Sequence, residues 1–420
     1  MRHARSPRHA FSNYVGEVSK LMHVVLLSHD YPPFTFGGIG SFVENLARQV
    51  SRMGVRTTVV CGYPARSKIE RTMEDEEEHP GIDVVRFPYP SLPPRHAFFQ
   101  IMNLQRIRET LKNLQGDVVH GQAGSTFPAS IALRGLAPIV VTFHLSPEAN
   151  KTIGIHSLTR GGGLGDFWTY VLGYPVWSFG FRMELRHSNM HVAVSKSLRS
   201  ELLAEMGRGD AKKLCTIHNG IDLDQLDSRY ERFGSQVEER GDTILFAGRL
   251  FWVKHPLDLV RMAALFRREN RGLKLIVHGA GPLLGRLRSD VRELGLRNMK
   301  VEGFSSVGGL MRSMKKSSFV VLPSVWEACP MIILEAMCLG KIPVMLDLPY
   351  ARELTNDGEY GILASDVDDM VARINAVCDG GSMEELQRRI RSYARANFGA
   401  EKMARQYIRL YEKISKEPVC

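Results

Sequence analysis

Short apolar runs alternate with amphipathic stretches along most of this chain, and this alternation restricts the fold more than any other feature. The first apolar run, MHVVLLS, begins at residue 22 and is followed by the glycine turn GGIG, the amphipathic stretch SFVENLARQVSRMG and the apolar run VRTTVVCG. A short apolar run predicts a buried strand, and apolar residues at helical spacing predict a helix. A strand, a helix and a second strand in this order predict a parallel sheet.

The alternation restarts in the second half of the chain. A polar, weakly periodic stretch over residues 217–242 predicts a linker, after which helical stretches separate the apolar runs TILFAG, LKLIVHG, FVVLPS and KIPVMLD. The predicted fold class is α/β, with two doubly wound parallel sheets in tandem and a cleft facing the carboxyl ends of both sets of strands. The final segment predicts two amphipathic helices with a break near Phe398 and Gly399.

Length, charge and cysteine content restrict the function. At 420 residues the chain exceeds what one hydrophobic core usually supports, so two domains are expected. The net charge of +10 favours anionic partners, but the basic residues form no block or nucleic-acid-binding motif, so no nucleic acid is expected. The six cysteines include no CxxC pair, which predicts free thiols in a reducing, cytoplasmic compartment.

The first twenty residues are basic and lack the apolar region of a secretory signal. They predict a disordered tail or, as a second alternative, sequence upstream of a start at Met22. A run of five residues rich in acids, Glu74 to Glu78, predicts a solvated loop. The absence of an uninterrupted apolar run of about 18 residues argues against a membrane-spanning helix.

Two acids lie eight residues apart in PSVWEACPMIILEAMCLGKIPV, which reads as a strand, a sharp loop and a helix. The backbone N–H groups of Met331 and Ile332 lie at the predicted helix N-terminus, where free donors and the helix dipole favour an anion such as phosphate. The same helix end can present Glu335 to a ribose diol and Glu327 to a second sugar. This layout suits a nucleotide-sugar.

Two cations, Arg249 and Lys254, follow the predicted strand TILFAG. Cations at a strand end can neutralise a diphosphate and stabilise it as a leaving group. The earlier glycine turn at Gly38 and Ile39 is typical of a phosphate loop but lacks the third glycine of a dinucleotide fingerprint. The sequence therefore disfavours an NAD enzyme.

The ordered pieces GGIG, HNGID, GRLFWVK, HGAGPL and LPSVWEACPMIILEAMCLGKIPV resemble the retaining glycosyltransferases of family GT4, which have the GT-B fold of two Rossmann-like domains. The resemblance covers about residues 22 to 415. It implies an acceptor-side domain over residues 22–220, a nucleotide-sugar-binding domain over 221–395, and a C-terminal helix over 396–420 that crosses back to the first domain.

The resemblance also implies roles for single residues. Arg249 and Lys254 would clamp the donor diphosphate, and Gly38 and Ile39 would bring backbone amides to the diphosphate or the acceptor. The remaining expected site residues are His144 and Glu327 as catalytic groups near the donor sugar, Glu335 on the ribose, Met331 and Ile332 as backbone donors, and Phe304 near the base. Many relatives carry Gly-Phe-Gly after the first acid, where this chain has Ala328-Cys329-Pro330.

The implied reaction moves a hexose from a nucleotide-diphosphate donor to a hydroxyl of a sugar, polyol or lipid-linked acceptor, with retention of configuration. No cofactor and no metal ion are expected, because the Arg/Lys clamp can replace a cation. The aromatic segment over residues 161–181 predicts either buried packing or peripheral contact with the inner face of a membrane. The alternatives are a GT-B nucleotide-sugar epimerase and a non-catalytic nucleotide-sugar-binding protein.

Overall fold

The computed structural model describes residues 22–34, 37–65, 81–90, 95–123, 129–132, 134–157, 174–235, 237 and 243–416. The predictions for residues 1–20 and 74–78, and for the aromatic segment up to residue 173, fall outside these ranges. Five cysteines lie inside them, and all five are free thiols.

Strands and helices alternate along the described chain. The strands are β1 His23–Ser28, β2 Arg56–Pro64, β3 Ile82–Tyr89, β4 Val118–Gln122, β5 Ile139–Phe143, β6 Met190–Ala193, β7 Leu214–Thr216, β8 Thr243–Ala247, β9 Lys274–His278, β10 Met299–Gly303, β11 Ser317–Leu322, β12 Ile342–Leu346 and β13 Ile362–Ala364. The helices are α1 Gly38–Arg52, α2 Arg95–Leu114, α3 Ala129–Ala132, α4 Pro147–Ser157, α5 Tyr174–His187, α6 Lys196–Glu205, α7 Arg208–Ala211, α8 Leu223–Gly234, α9 Asp258–Arg268, α10 Leu284–Glu293, α11 Val307–Lys316, α12 Met331–Cys338, α13 Pro349–Thr355, α14 Val367–Asp379, α15 Met383–Phe398 and α16 Ala400–Ile414.

The strands form two sheets, as the alternation predicts. The first sheet has the order β3-β2-β1-β4-β5-β6-β7, and the second has the order β10-β9-β8-β11-β12-β13. Every described register in them is parallel. The central strands β1, β4, β5, β8 and β11 are buried along their whole length, which explains why most of them are largely apolar in sequence, although β4 also buries His120 and Gln122.

In each sheet, the order in which the chain adds strands changes direction once. In the first sheet the chain runs outward from β1 to β3 and then returns to β4 on the other side of β1, and in the second sheet it does the same at β8 and β11. Ligands in open α/β sheets bind outside the carboxyl ends of the strands at such a switch point. The two switch points are therefore the places to look for a site.

The chain divides into two compact units. Unit 1 comprises the residues up to Val141, Met183–Met190 and the residues from Ala404, and unit 2 comprises Thr142–Arg182 and His191–Met403. Within unit 1, the rings of Tyr407 and Tyr411 in α16 pack against His120 of β4, and His120 Nδ1 lies 2.6 Å from the Tyr411 hydroxyl. The domain boundaries given above stay a prediction.

The linker predicted over residues 217–242 is partly wrong, because residues 223–234 form α8. The Asp222 side chain caps this helix by accepting a hydrogen bond from Gln225 N at 3.3 Å, and Leu226 is buried. A helix whose surface is mostly polar gives a weak periodic signal, and its cap and its packing against α11 supply the stability that the pattern does not reveal.

The predicted break between two C-terminal helices is confirmed at Gly399. The backbone there pairs with Ile221, since Ile221 N donates to Phe398 O and Ala400 N donates to Ile221 O, both at 2.8 Å. A Cβ added at Gly220 would lie 2.6 Å from Ala400 Cα, so the close approach of these two segments requires a glycine.

Candidate functional site

The loops after β8, β9 and β10 are tied together at the carboxyl edge of the second sheet. They share three backbone hydrogen bonds of 2.7 to 3.0 Å: Gly248 N to His278 O, Leu250 N to Ala280 O, and Gly279 N to Gly303 O. A further bond of 3.0 Å from Val325 N to Val253 O attaches the loop after β11. Four successive strand ends are thus held in one rigid rim.

Two glycines make this close approach of the loops feasible. Gly279 and Gly281 have φ angles of +159° and +158°, which side-chain-bearing residues rarely adopt. A Cβ at Gly279 would lie 2.0 Å from Gly248 O, and a Cβ at Gly281 would lie 2.4 Å from Leu250 O. The sequence HGAGPL therefore serves to pack the β9 loop against the β8 loop.

Arg249 and Lys254 both lie on the β8 loop, on the switch-point side of the second sheet. The Arg249 side chain is exposed, and its guanidinium carbon lies 5.5 Å from the centre of the Phe251 ring. Lys254 ends a 3₁₀ helix over Trp252–Lys254, and His255 follows in a left-handed conformation with φ of 47°. The tight turn brings the lysine back toward the adjacent strand β11.

Glu327, in the loop after β11, is buried and forms an ion pair with the Lys254 ammonium. The exposed fractions of the two side chains are 9% for Glu327 and 22% for Lys254, so water solvates both charges poorly. A buried charge needs an opposite charge or hydrogen bonds to offset its lost hydration. The pair meets that need and joins the two loops that flank the switch point.

The ion pair was not anticipated from the sequence, which placed Lys254 in a diphosphate clamp and Glu327 beside the donor sugar. The sequence contains only an indirect indication of this ion pair. Opposite charges follow two strands, β8 and β11, that become neighbours only in the doubly wound order. Because the residues are 73 positions apart, no periodicity argument connects them.

Helix α12 begins directly after this loop, with Pro330 as its N-cap residue and no side-chain cap. The first N–H groups of a helix have no partner within it, and they carry the positive end of its dipole. Met331 is buried and Ile332 is partly exposed, whereas Glu335 lies one turn further along α12 and is also partly exposed. The predicted backbone donors and the predicted ribose ligand thus share one short helix.

The atypical triplet Ala328-Cys329-Pro330 is buried. Asn219 Nδ2 donates a hydrogen bond to Cys329 O at 2.9 Å, which ties the HNGID segment to the start of α12. Burial raises the pKa of the Cys329 thiol to about 12, so this thiol stays protonated and is a poor nucleophile at neutral pH.

The other predicted site residues lie at separate strand ends. Phe304 directly follows β10, with 85% of its surface exposed. His144 directly follows β5 and is partly exposed. Gly38 and Ile39 are the first two residues of α1, which follows β1 at the switch point of the first sheet and has the exposed residue Gly37 as its N-cap.

Three further residues near the site had no predicted role: Trp252 and Trp326 lie inside the quoted motifs, whereas Glu201 lies outside all of them. Trp252 and Trp326 donate their indole N–H groups to α4 and to α6 respectively, through Ile153 O at 3.0 Å and the Glu201 carboxylate at 3.0 and 3.3 Å. Glu201 also accepts the Ser146 hydroxyl at 2.9 Å. All of these contacts lie within unit 2.

Across the described ranges there is no group of three or more His, Cys, Asp or Glu residues placed to hold a metal ion. The expectation of a metal-independent site stays a prediction. No helix in the part of the chain that the structure describes is long and apolar enough to cross a membrane.

Two family models match the chain in succession. Residues 36–225 match the model described as Glycosyltransferase Family 4, and residues 227–397 match the model described as Glycosyl transferases group 1. The relatives include a glycogen synthase of Mycobacterium tuberculosis, 24% identical over 390 residues that cover 88% of this chain and 89% of the relative. An uncharacterised glycosyltransferase of Methanocaldococcus jannaschii is 25% identical over 359 residues, which cover 81% of this chain and 84% of the relative.

Solved structures with the same fold include sucrose-phosphate synthase from Thermosynechococcus elongatus, with a TM-score of 0.72 and 16% identity over 93% of this chain and 98% of that protein. Another is HepE of Anabaena in complex with UDP-glucose, with a TM-score of 0.70 and 18% identity over 93% of this chain and 100% of that protein. The fold class predicted from the sequence is confirmed. The chain belongs to the GT4 family of glycosyltransferases and has the GT-B fold.

Proposed function

We propose that this glycosyltransferase moves a hexose from a nucleotide-diphosphate donor to a hydroxyl acceptor, with retention of the anomeric configuration. The observation that carries the proposal is the convergence at the switch point of the second sheet. Two cations, Arg249 and Lys254, and the N-terminus of α12 follow the adjacent strands β8 and β11. A diphosphate matches that combination of fixed positive charge and backbone donors.

The names of relatives and structural neighbours support a nucleotide-hexose donor. One relative is a glycogen synthase and another is an α-maltose-1-phosphate synthase, both of Mycobacterium tuberculosis. The HepE structure holds UDP-glucose, and a plant starch synthase of the same fold was solved with ADP. The ligands of the two solved structures share a nucleoside diphosphate but differ in the base.

In the proposed donor complex the diphosphate lies over the N-terminus of α12, with Met331 N and Ile332 N as donors and Arg249 and Lys254 as counter-charges. Glu335 accepts hydrogen bonds from the ribose hydroxyls, each worth about 1.5 to 3 kcal/mol for a charged acceptor. Phe304 lies exposed beside this edge of the sheet, where its ring is available to a base.

The proposed chemistry needs no nucleophile on the protein. The acceptor oxygen forms a bond to the anomeric carbon on the face from which the diphosphate leaves, the carbon–oxygen bond to the phosphate breaks, and a phosphate oxygen takes the acceptor's proton. In this proposal Glu327 and His144 lie near the donor sugar, where they orient it and stabilise the charge that develops. No cofactor or metal ion takes part.

Gly38 and Ile39 remain candidates for binding the donor diphosphate or the acceptor through their backbone amides. As the first residues of α1 they present backbone N–H groups at the switch point of the first sheet, which suits a phosphate or a hydroxyl. The acceptor is a sugar, a polyol or a lipid-linked saccharide. We place the reaction in the cytoplasm, and flotation with anionic liposomes tests whether the enzyme also binds a membrane surface.

Thermal-shift measurements against UDP-, GDP- and ADP-sugars test the donor class first. The donor that raises the melting temperature is then incubated with candidate acceptors, and the anomeric configuration of the product is read by NMR. An α-linked product from an α-linked donor supports retention. An isomerised donor without any acceptor would instead identify an epimerase, and donor binding with neither outcome would identify a non-catalytic binding protein.

A further inference from the structure

Six side chains of unit 2 lie around the start of α4, joined by hydrogen bonds, one ion pair and short stretches of backbone, and we call this set the polar ring. Its members are Ser146, Glu201, Trp252, Lys254, Trp326 and Glu327. The Glu201 carboxylate is the centre of one half, since Oε2 accepts the Ser146 hydroxyl at 2.9 Å and Oε1 accepts the Trp326 indole N–H at 3.0 Å. Ser146 is buried and also accepts Ala149 N at 3.1 Å.

The other half of the polar ring runs through the β8 loop. Trp252 donates its indole N–H to Ile153 O in the middle of α4 at 3.0 Å, and Lys254, two residues later, pairs with Glu327. Trp326 directly precedes Glu327, so the chain itself closes the ring. Helix α4 is thereby attached to both loops of the proposed donor site. Trp252 attaches it to the β8 loop, and Ser146 and Glu201 attach its start to the loop after β11.

Both contacts of the Glu201 side chain need a hydrogen-bond acceptor. An indole N–H can only donate, and the single hydroxyl proton of Ser146 is directed at Glu201. A carboxylate accepts both because both of its oxygens are acceptors, whereas an amide of the same shape would turn an NH₂ group toward one of the two donors. Because Oε2 also lies 3.3 Å from the Trp326 nitrogen and the Ser146 oxygen can itself accept, an amide would keep a weaker form of the bridge, and the carboxylate makes the stronger one.

We propose that Glu201 is a positioning residue for sugar transfer, which holds Ser146, two residues after His144 and directly before α4, against the loop that presents Glu327. The inference rests on the proposed function for its catalytic consequence. It adds a residue outside every recognised motif, acting through Ser146 and Trp326 and not through contact with the substrate.

Glu201→Gln tests the bridge, with Glu205→Gln as the matched control. Glu205 lies one turn further along α6. It accepts a hydrogen bond from Glu148 N at 3.2 Å, so it caps α4 at its first turn, and it has no described contact with Trp326. Hydrogen–deuterium exchange of the ligand-free protein gives a readout that needs no donor. We expect Glu201→Gln to raise exchange both in residues 146–150 and in residues 324–328, and Glu205→Gln to raise it only in residues 146–150.

Kinetics provide the second readout. Glu201→Gln should lower kcat about 10- to 100-fold, in the range of a misplaced catalytic group, while the affinity for the nucleoside diphosphate that binds best among UDP, GDP and ADP stays within about two-fold. Glu205→Gln should keep kcat within about two-fold. Equal losses of kcat and of diphosphate affinity in Glu201→Gln would overturn the positioning role.

Trp326→Phe provides an independent variant that removes the indole donor and keeps an aromatic ring at this position. If Glu201 acts through Trp326, the double variant loses no more activity than the worse single variant, because each change breaks the same bridge. A double variant whose fold-loss of activity equals the product of the two single losses would contradict the proposal. Unchanged exchange in residues 324–328 of Glu201→Gln overturns the bridge whatever the activity, and altered exchange in a protein without transferase activity supports the bridge and overturns the proposed reaction.

Discussion

At the scale of single residues, the site is dominated by charges that are used in two different ways. Lys254 and Glu327 neutralise each other in a poorly solvated pair, whereas Arg249 is exposed. In the proposed donor complex a diphosphate meets the exposed guanidinium first and competes with Glu327 for the ammonium. We therefore expect separable contributions, from Arg249 mainly to donor binding and from Lys254 to both binding and stability.

Lys254→Met should destabilise the protein, because it leaves Glu327 buried without its counter-charge. Removing one partner of a fully buried pair costs about 3 to 5 kcal/mol, and the partial exposure of Lys254 reduces this to about 1 to 3 kcal/mol. Thermal denaturation measures the effect. Adding Glu327→Gln to Lys254→Met should recover part of the loss, and a double variant less stable than Lys254→Met would contradict the pairing.

Arg249→Ala should leave the fold intact and impair transfer. Its exposed side chain contributes little to packing, but losing one electrostatic stabiliser of the leaving diphosphate costs about 2 to 4 kcal/mol of transition-state binding, or about 30- to 1000-fold in kcat/KM. Arg268→Ala, which removes an exposed arginine from α9, is the charge-matched control. Undiminished turnover in Arg249→Ala would remove this residue from the site.

At the scale of elements, backbone geometry at the strand ends limits the site more than any side chain does. The HGAGPL loop lies so close to the β8 loop that its glycines have no room for a Cβ. That closeness fixes where the loop carrying Arg249 and Lys254 can lie. The glycines of HGAGPL therefore have a packing role.

Gly279→Ala should disrupt the β8 loop, because its Cβ would lie 2.0 Å from Gly248 O in a conformation that alanine rarely adopts. We expect a lower melting temperature and a loss of the thermal shift caused by the active nucleotide-sugar. Gly285→Ala in α10 is the control, since nothing lies within 4 Å of its added Cβ and alanine favours a helix. Equal melting temperatures for the two variants would refute this role of Gly279.

Elements with strong apolar patterns were predictable, and α8 was not. Strands such as β8 and β11 are continuous apolar runs because both faces of a parallel sheet are covered. Helix α8 keeps most of its surface polar and depends on the Asp222 cap and on its contact with α11. A sequence pattern shows which face of an element is buried. It does not show how much stability the element gains from its neighbours.

At the scale of the whole molecule, buried histidines couple stability to pH. Burial lowers the pKa of His23 and of His278, and it lowers the pKa of His191 to about 3. In the unfolded chain each of them titrates near 6.5. Between pH 6.5 and about pH 3 the unfolded state therefore binds more protons than the native state, so stability falls as the pH decreases through this window.

Melting temperatures measured from pH 7.5 to pH 4.5 should decline, with most of the decline below pH 6.5. His191→Gln should flatten the decline, because glutamine takes up no proton on unfolding, although it should also lower the melting temperature at pH 7.5 by disturbing a buried position. Arg208→Gln, a change at an exposed residue, should leave the slope unchanged. A His191→Gln slope equal to that of the wild type would exclude this histidine as a source of the pH dependence.

Local sequence patterns were sufficient to predict the two parallel sheets and the break at Gly399, because each follows from periodicity or from a motif within one segment. The candidate site residues came from such motifs and from the family resemblance, and their roles stay a prediction. Which side chains meet depended on the tertiary fold. Lys254 and Glu327 are 73 positions apart, and Glu201 and Trp326 are 125 apart. Their contacts require a particular order of strands in the sheet and loops that backbone bonds hold at its edge, and neither leaves a local pattern in the sequence.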